Sequence, residues 1–357
     1  MIKYVKILAL VIGFAITLHS FAGSESPPGS AKELSQVYKV YPVAIIGAGA
    51  GGTMAVRRAI LNNREVLLFT GAKKEMKRSR GHWVRKVDNI PGLDKYKRTL
   101  VELREETLDG IANGSFSHNL TVIEDSVTSI EKQDHVFRIC DKEGNVYFAR
   151  FVVLATGMMD EQPLIQDSID SILSFANKQT IAYCLLCDGH LSYQKKVVVI
   201  GYSEDAAHGA ILLSERYNPP KITMLTNGAK NNFSEKTLSL LKTKNIQIEE
   251  EPIEEVLGEQ KGILTGFQLA FGKKIDAEIG FVALGIRPNN ALALELGADV
   301  DERGLVLVDQ NGESSVSNLF VIGDLRANSL KQIYTAWQHA VDSIQIIDRR
   351  IRANSGS

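Results

Sequence analysis

Val43-Ala44-Ile45-Ile46-Gly47-Ala48-Gly49-Ala50-Gly51-Gly52 decides the architecture of this chain. Its four leading apolar residues form the kind of run that is buried on both faces of a parallel sheet. The glycines after it fit G-x-G-x-x-G, a pattern that carries weight only between a strand and a helix. Both flanks are present: Thr53 to Leu61 has helical composition, and Val66-Leu67-Leu68-Phe69 supplies a second strand, completing a βαβ unit. In that setting Gly47 permits a tight turn, Gly49 lets backbone N–H groups approach a pyrophosphate, and Gly52 lets the helix pack closely on the strand. The helix N-terminus then faces the phosphates with the positive end of its dipole. A dinucleotide site is expected here. The acidic residue that would hold a ribose is missing after Phe69, where Thr70-Gly71-Ala72 follows, and this argues against NAD as the occupant.

The same architecture recurs with altered chemistry. Lys195-Lys196-Val197-Val198-Val199-Ile200 leads into Gly201-Tyr202-Ser203-Glu204-Asp205-Ala206 and then a helix-like Ala207 to Ser214. Ser203 stands where the second glycine should be, so a side chain intrudes where backbone would touch a pyrophosphate, and Asp205 adds negative charge nearby. The expected fold is α/β, with two Rossmann-type (three-layer ββα) dinucleotide-binding domains.

Composition agrees and narrows the function. The 357 residues, 44% hydrophobic and 23% charged, suffice for two domains with buried cores. A net charge of -1 gives no basic field for gripping nucleic acid. Lys3 and Lys6 precede an apolar run from Ile7 to Leu18, and Ser20-Phe21-Ala22 ends it with small residues at the cleavage positions. Residues 1–22 therefore read as a signal peptide cleaved after Ala22, which predicts an exported protein. An uncleaved anchor is the alternative, but the run falls short of the roughly 20 apolar residues that span a bilayer. No other stretch is apolar for long enough, so no membrane span is expected after processing. Residues 23–41, with Pro27-Pro28-Gly29, read as a linker.

Of the three cysteines, two stand in Cys184-Leu185-Leu186-Cys187-Asp188-Gly189-His190. This spacing suits redox chemistry or half of a zinc site, and the lack of a second pair disfavours metal. The pair can close a small disulfide ring, and its surroundings can hold one thiolate at a depressed pKa. Asp188 is placed to move a proton during exchange, with His190 as an alternative. Cys140 lies in the alternating segment from His135 and reads as a core residue.

These motifs together resemble the low-molecular-weight thioredoxin reductases over nearly the whole mature chain. The resemblance rests on the glycine loop, Val152-Val153-Leu154-Ala155-Thr156-Gly157, Cys184 to Gly189 running into the Lys195 strand, Phe281-Val282-Ala283-Leu284-Gly285, and Asn318-Leu319-Phe320-Val321-Ile322-Gly323-Asp324. It implies an FAD-binding domain, residues 42–160 and 285–352, split by an inserted NAD(P)-type domain, 161–284, that carries the cysteine pair. It also implies that Gly47, Gly49, Gly52, Thr156 and Gly157 belong to the FAD site, that Asp324 binds the ribityl chain, and that Lys331-Gln332 open the helix beside the flavin ring. Asn89 matches a segment near the isoalloxazine. Cys187 would be the flavin-facing sulfur, Cys184 the sulfur that exchanges with substrate, and Asp188 the acid. The implied partners are a thioredoxin-like protein or a small thiol or disulfide substrate, and the implied assembly is a homodimer.

Two departures stand out. The family's NADPH site uses an intact glycine motif and basic residues after the next strand, whereas here Lys221 to Leu225 leads into Thr226-Asn227-Gly228-Ala229, with Lys230 the first cation. NADPH is therefore disfavoured. Lys73 to Lys86, with Lys77, Arg78, Arg80, Arg85 and Lys86 around Gly81-His82-Trp83, replaces the family's glycine-rich flavin-covering segment. A solvated charged loop is the expectation, and a docking patch for an acidic electron-transfer partner is the alternative. The function expected is FAD-dependent thiol/disulfide exchange, either reducing a substrate disulfide or oxidising thiols with oxygen as acceptor. A non-catalytic flavin- or partner-binding protein is the alternative from another class.

Overall fold

The computed structural model describes residues 38–72, 80–83, 87, 89–93, 99–259 and 262–354. The expected signal peptide, most of the expected linker, and residues 73–79 and 84–86 of the basic segment lie outside that set.

The apolar run before Gly47 becomes strand β1 (Val40–Ile46), which begins two residues inside the segment read as linker because Val40 and Tyr41 pair with Phe148 and Ala149. Helix α1 (Ala50–Leu61) follows, then β2 (Val66–Phe69), parallel to β1. The sheet is completed by β3 (Leu120–Ile123), β4 (Val127–Gln133), β5 (Val136–Asp141), β6 (Val146–Leu154) and, from far along the chain, Leu319–Val321, which pairs parallel with β6. Its order is β3-β2-β1-β6-β5-β4, parallel around β1 and antiparallel through the β4/β5/β6 meander. Alternation along β1 explains the layers. Val43 and Ile45 face one way, onto Ala55, Val56 and Ala59 of α1 and Ile344 and Ile347 of the C-terminal helix. Ala44 and Ile46 face the other way, onto Phe137 and Ile139 of the meander.

The second sheet repeats the plan. Strand β9 (Lys196–Ile200), β10 (Lys221–Leu225), β11 (Gln247–Glu249) and β15 (Ile279–Val282) join β8 (Ile181–Ala182) in the order β11-β10-β9-β15-β8, all parallel. Val197 and Val199 pack on Ala206, Ala207 and Ala210 of the following helix, Glu204–Tyr217. Val198 and Ile200 pack under an antiparallel meander of β12 (Ile253–Gly258), β13 (Leu264–Leu269) and β14 (Lys274–Asp276). Both halves thus have the three-layer form read from the sequence.

The chain crosses between the halves twice, on β7 (Met158–Asp160) and β16 (Ile286–Pro288), which pair antiparallel. The crossing is reinforced at its end, where Thr156 Oγ1 donates to the Asn289 carbonyl at 2.7 Å and Asn289 Nδ2 donates to the Thr156 carbonyl at 2.8 Å. Among the described residues no helix is long and apolar enough to cross a membrane.

Candidate active site

The glycine loop lies at the C-terminal ends of β1 and β6, where ligands bind in open parallel sheets. Its glycines differ in what a side chain would meet. Gly47 has φ +106°, and a Cβ there would come within 2.4 Å of the Ala155 carbonyl oxygen. A Cβ on Gly52 would sit 1.9 Å from the Gly47 carbonyl oxygen, so this glycine closes the helix onto the turn. Gly49 has nothing within 4 Å. It is the N-cap of α1, in extended backbone, with no side chain satisfying the first helical N–H groups. Free helix N–H groups beside open space are what a pyrophosphate needs, so the loop fits the group.

Asp324 reaches the same region because Ile322 N–H bonds to the Leu154 carbonyl at 3.0 Å, extending the pairing of Leu319–Val321 with β6. It is not alone. Arg80, at the start of the short helix α2 (Arg80–Trp83), donates Nε to Asp160 Oδ2 at 2.8 Å and Nη2 to Asp160 Oδ1 at 3.0 Å. Its Nη1 donates to Asp324 Oδ2 at 3.3 Å. Burial alone would lower the Arg80 pKa, but the two carboxylates more than offset this and raise it. Burial pushes the Asp160 carboxyl up, against the opposing pull of Arg80. The solvated loop expected for this charge run is therefore wrong at Arg80, whose side chain is only 19% exposed. Lys77, Arg78, Arg85 and Lys86 lie outside the described residues.

Cys184 and Cys187 form a disulfide. Cys184 caps the four-residue helix Leu185–Asp188: its sulfur accepts from the Cys187 N–H at 3.1 Å and its carbonyl from the Asp188 N–H at 2.9 Å. The two sulfurs have different neighbours. Cys187 meets the opposite domain, where Gln332 Nε2 donates to its sulfur at 3.3 Å. Gln332 is buried at the start of the long helix Ile333–Asn354, and its Oε1 accepts from Asn89 Nδ2 at 2.9 Å. Cys184 instead lines a small cavity with Asp188, Arg80, Asp160, Gln162 and Tyr183. Tyr183 donates to Gln162 Oε1 at 2.6 Å, and burial raises its pKa, with Asp160 adding to the effect. Lys331 turns away from this group, onto the Arg326 carbonyl and, at 3.4 Å, Ser329 Oγ. Thr156 and Gly157, the latter at φ +65°, stand at the domain crossing. His190 is exposed and Cys140 is a free, half-buried cysteine on β5.

The structure thus gathers Asn89, Gln332 and Cys187 into one chain of contacts, and Cys184, Asp188 and the Arg80 cluster into another. Arg80, Asp160, Gln162 and Tyr183 escape a reading of the sequence alone. Arg80 pairs with residues 80 and 244 positions away, so nothing local separates it from its charged neighbours.

The second glycine passage keeps its turn but has a side-chain cap where the first has none. A Cβ on Gly201 would lie 2.6 Å from the Ala283 carbonyl oxygen, so the tight turn is retained. Ser203, however, is the N-cap of Glu204–Tyr217, its Oγ accepting from the Ala206 N–H at 3.3 Å. That hydroxyl occupies a helix N–H group that a pyrophosphate would use. Glu204 in the first turn accepts from Thr237 Oγ1 at 2.6 Å, and this bond, with that from the Ser234 N–H, holds its carboxyl below the usual range. After β10, Thr226 is buried and donates to the Ala229 carbonyl at 2.6 Å, while Asn227 bonds Leu164 and Ile253 at 2.8 Å each. The open depression beside this loop is lined by Glu249, Glu250 and Glu251 with Asn231 and Ile248.

Residues 41–340 match the family model described as pyridine nucleotide-disulphide oxidoreductase. A thioredoxin reductase from Treponema pallidum (strain Nichols) is 27% identical over 304 residues, covering 83% of this chain and 92% of the relative. A thioredoxin reductase from Mycoplasmopsis pulmonis is 24% identical over 318 residues, covering 88% of this chain and 98% of the relative. The fold superposes on the thioredoxin reductase from Streptococcus pyogenes with a TM-score of 0.76 at 19% identity, covering 88% of this chain and 99% of the other. With the match spanning both domains and the disulfide between them, the chain belongs to the pyridine nucleotide-disulphide oxidoreductase family.

Proposed function

We propose that this protein is an FAD-dependent thiol/disulfide oxidoreductase of thioredoxin reductase type, in which the Cys184–Cys187 pair exchanges electrons with the flavin and with a thiol or disulfide substrate. The contact between Cys187 and Gln332 carries this reading, because it sets a reducible bond against the helix that the family uses beside the flavin ring. Gly47, Gly49, Gly52, Asn89, Thr156, Gly157, Asp324, Lys331 and Gln332 are the residues expected at the cofactor.

FAD, when bound, supplies the two-electron redox step. The protein supplies the rest. In the reductive direction the Cys184 thiolate attacks a substrate disulfide, forming a mixed disulfide and releasing one substrate thiolate. Cys187 then attacks Cys184, which closes the internal disulfide and frees the second substrate thiolate. Asp188 is placed to give the departing sulfur its proton. The oxidative direction runs these steps backward, with two substrate thiols leaving as a disulfide and two electrons remaining on the pair. The Cys187 N–H that bonds the Cys184 sulfur favours the thiolate on the exchanging side.

NADPH is not the donor in this account. Ser203 caps its own helix, and three glutamates stand near the loop where a 2'-phosphate would need cations. A thioredoxin-like protein or a small thiol or disulfide is the expected partner, with export and a homodimer as further parts of the proposal. Anaerobic titration of the purified protein with a small dithiol tests the reading. The flavin absorbance should fall as the dithiol is consumed. A yellow protein inert to dithiols supports a non-catalytic flavin binder instead.

A further inference from the structure

We propose that Arg80 is a positioning residue for the cofactor, holding the Asp324 side chain in place beside the Gly47–Gly52 loop while anchoring it to the crossing strand through Asp160. The inference rests on the proposed role of Asp324 at the flavin's sugar chain.

Three observations carry it. The guanidinium makes two bonds to Asp160 and one to Asp324, so a single planar cation fixes both carboxylates. Asp160 is 8% exposed and the Asp324 side chain 23%, so neither is free to settle its charge in water. Asp324 belongs to the strand end that packs against the glycine loop, since a Cβ on Gly51 would meet Ile322 Cδ1 and Ala336 Cβ, each at 3.5 Å. Without the cation the two neighbouring carboxylates repel each other, and Asp324, the more exposed of the two, is free to swing away. A displaced Asp324 is a poorer acceptor for a hydroxyl than a fixed carboxylate. The third member, Asp160, ends the first strand that joins the domains, so the clamp ties the cofactor carboxylate to the domain crossing.

A purely structural ion pair would affect stability without affecting cofactor affinity, and this separates the two roles. FAD binding to stripped apoprotein, followed by flavin fluorescence, should be compared for the parent, R80K, D324N, R80Q/D324N and R80Q/D160N. The last variant keeps the net charge of the cluster and leaves Asp324 without its cation. Its apoprotein should melt near the parent, while FAD affinity falls about tenfold to a hundredfold, the size expected for one charge-assisted hydrogen bond. D324N should lose a similar factor, and adding R80Q to D324N should cost nothing more, because Arg80 acts through Asp324. R80K should fall several-fold, since a point charge cannot bridge both carboxylates. If R80Q/D160N fails to fold, R80K decides, and unchanged affinity in R80K overturns the inference. Parent-like affinity in R80Q/D160N, or independent losses in R80Q/D324N, also overturns it. A parent protein that binds no FAD overturns the functional reading, and the inference with it.

Discussion

Gln332 and Cys187 are 145 residues apart in sequence and belong to different domains, yet Gln332 Nε2 lies 3.3 Å from the Cys187 sulfur. Because Cys184 faces a separate cavity, the two sulfurs are predicted to behave differently. In Cys184→Ser, which cannot close the internal disulfide, the Cys187 thiolate should stay beside the oxidised cofactor and give a long-wavelength absorbance band that disappears when the flavin is reduced. Cys187→Ser should lose communication between added dithiol and flavin. Identical spectra in both variants would show that the sulfur roles are misassigned.

The glycine loop offers a paired test of stability against binding. Gly52→Ala puts a Cβ 1.9 Å from a backbone oxygen that cannot yield, and should cost about 3 kcal/mol or more. Gly49→Ser meets open space and recreates the capping arrangement of Ser203, so stability should stay within about 0.5 kcal/mol. Its FAD affinity should nevertheless fall at least about tenfold, because the serine takes a helix N–H group from the phosphates. Urea unfolding of the apoproteins and FAD titration separate the two effects, and parent-like FAD binding by Gly49→Ser would place the pyrophosphate elsewhere.

His339 on the long C-terminal helix is buried with no partner for Nδ1 among the described residues. Burial, aided by Arg326 and Lys331 and opposed by Asp342, pushes its pKa down to about 4. The unfolded chain, with an ordinary histidine near 6.5, binds more protons in the window between these values. Stability from this group is thus complete above about pH 6.5 and is lost as pH falls toward 4. Between pH 7 and pH 5 the loss is on the order of 2 kcal/mol. His339→Gln should flatten that part of the stability profile in denaturant unfolding, and an unchanged slope would assign the pH dependence to other groups.

Much of the fold is legible in the sequence because it is written locally. Val66 to Phe69 and Lys221 to Leu225 are strands over the predicted residues, and the glycine spacing marks the turn that the backbone makes. The start of β1 is hidden because Val40 and Tyr41 owe their strand pairing to Phe148 and Ala149, more than a hundred positions on. Arg80 misleads for the same reason: a charged run looks solvated until its distant carboxylates are in place. Ser203 is recognisable as a departure from the glycine pattern, but its use as a helix cap depends on backbone geometry that spacing alone does not give. The acidic rim of Glu249 to Glu251 joins the loop after β10 only once β11 pairs beside it.

The central claim is that the flavin exchanges electrons with thiols through Cys184–Cys187 and not with NADPH, and anaerobic stopped-flow absorbance tests it most directly. Reduced flavin should form rapidly with a small dithiol. With NADPH or NADH it should form slowly or not at all, because losing two charge-assisted phosphate contacts weakens binding by roughly a hundredfold or more. Fast bleaching by micromolar NADPH would contradict the account and restore an ordinary reductase, with exposed Lys230 the first residue to examine as a substitute phosphate contact.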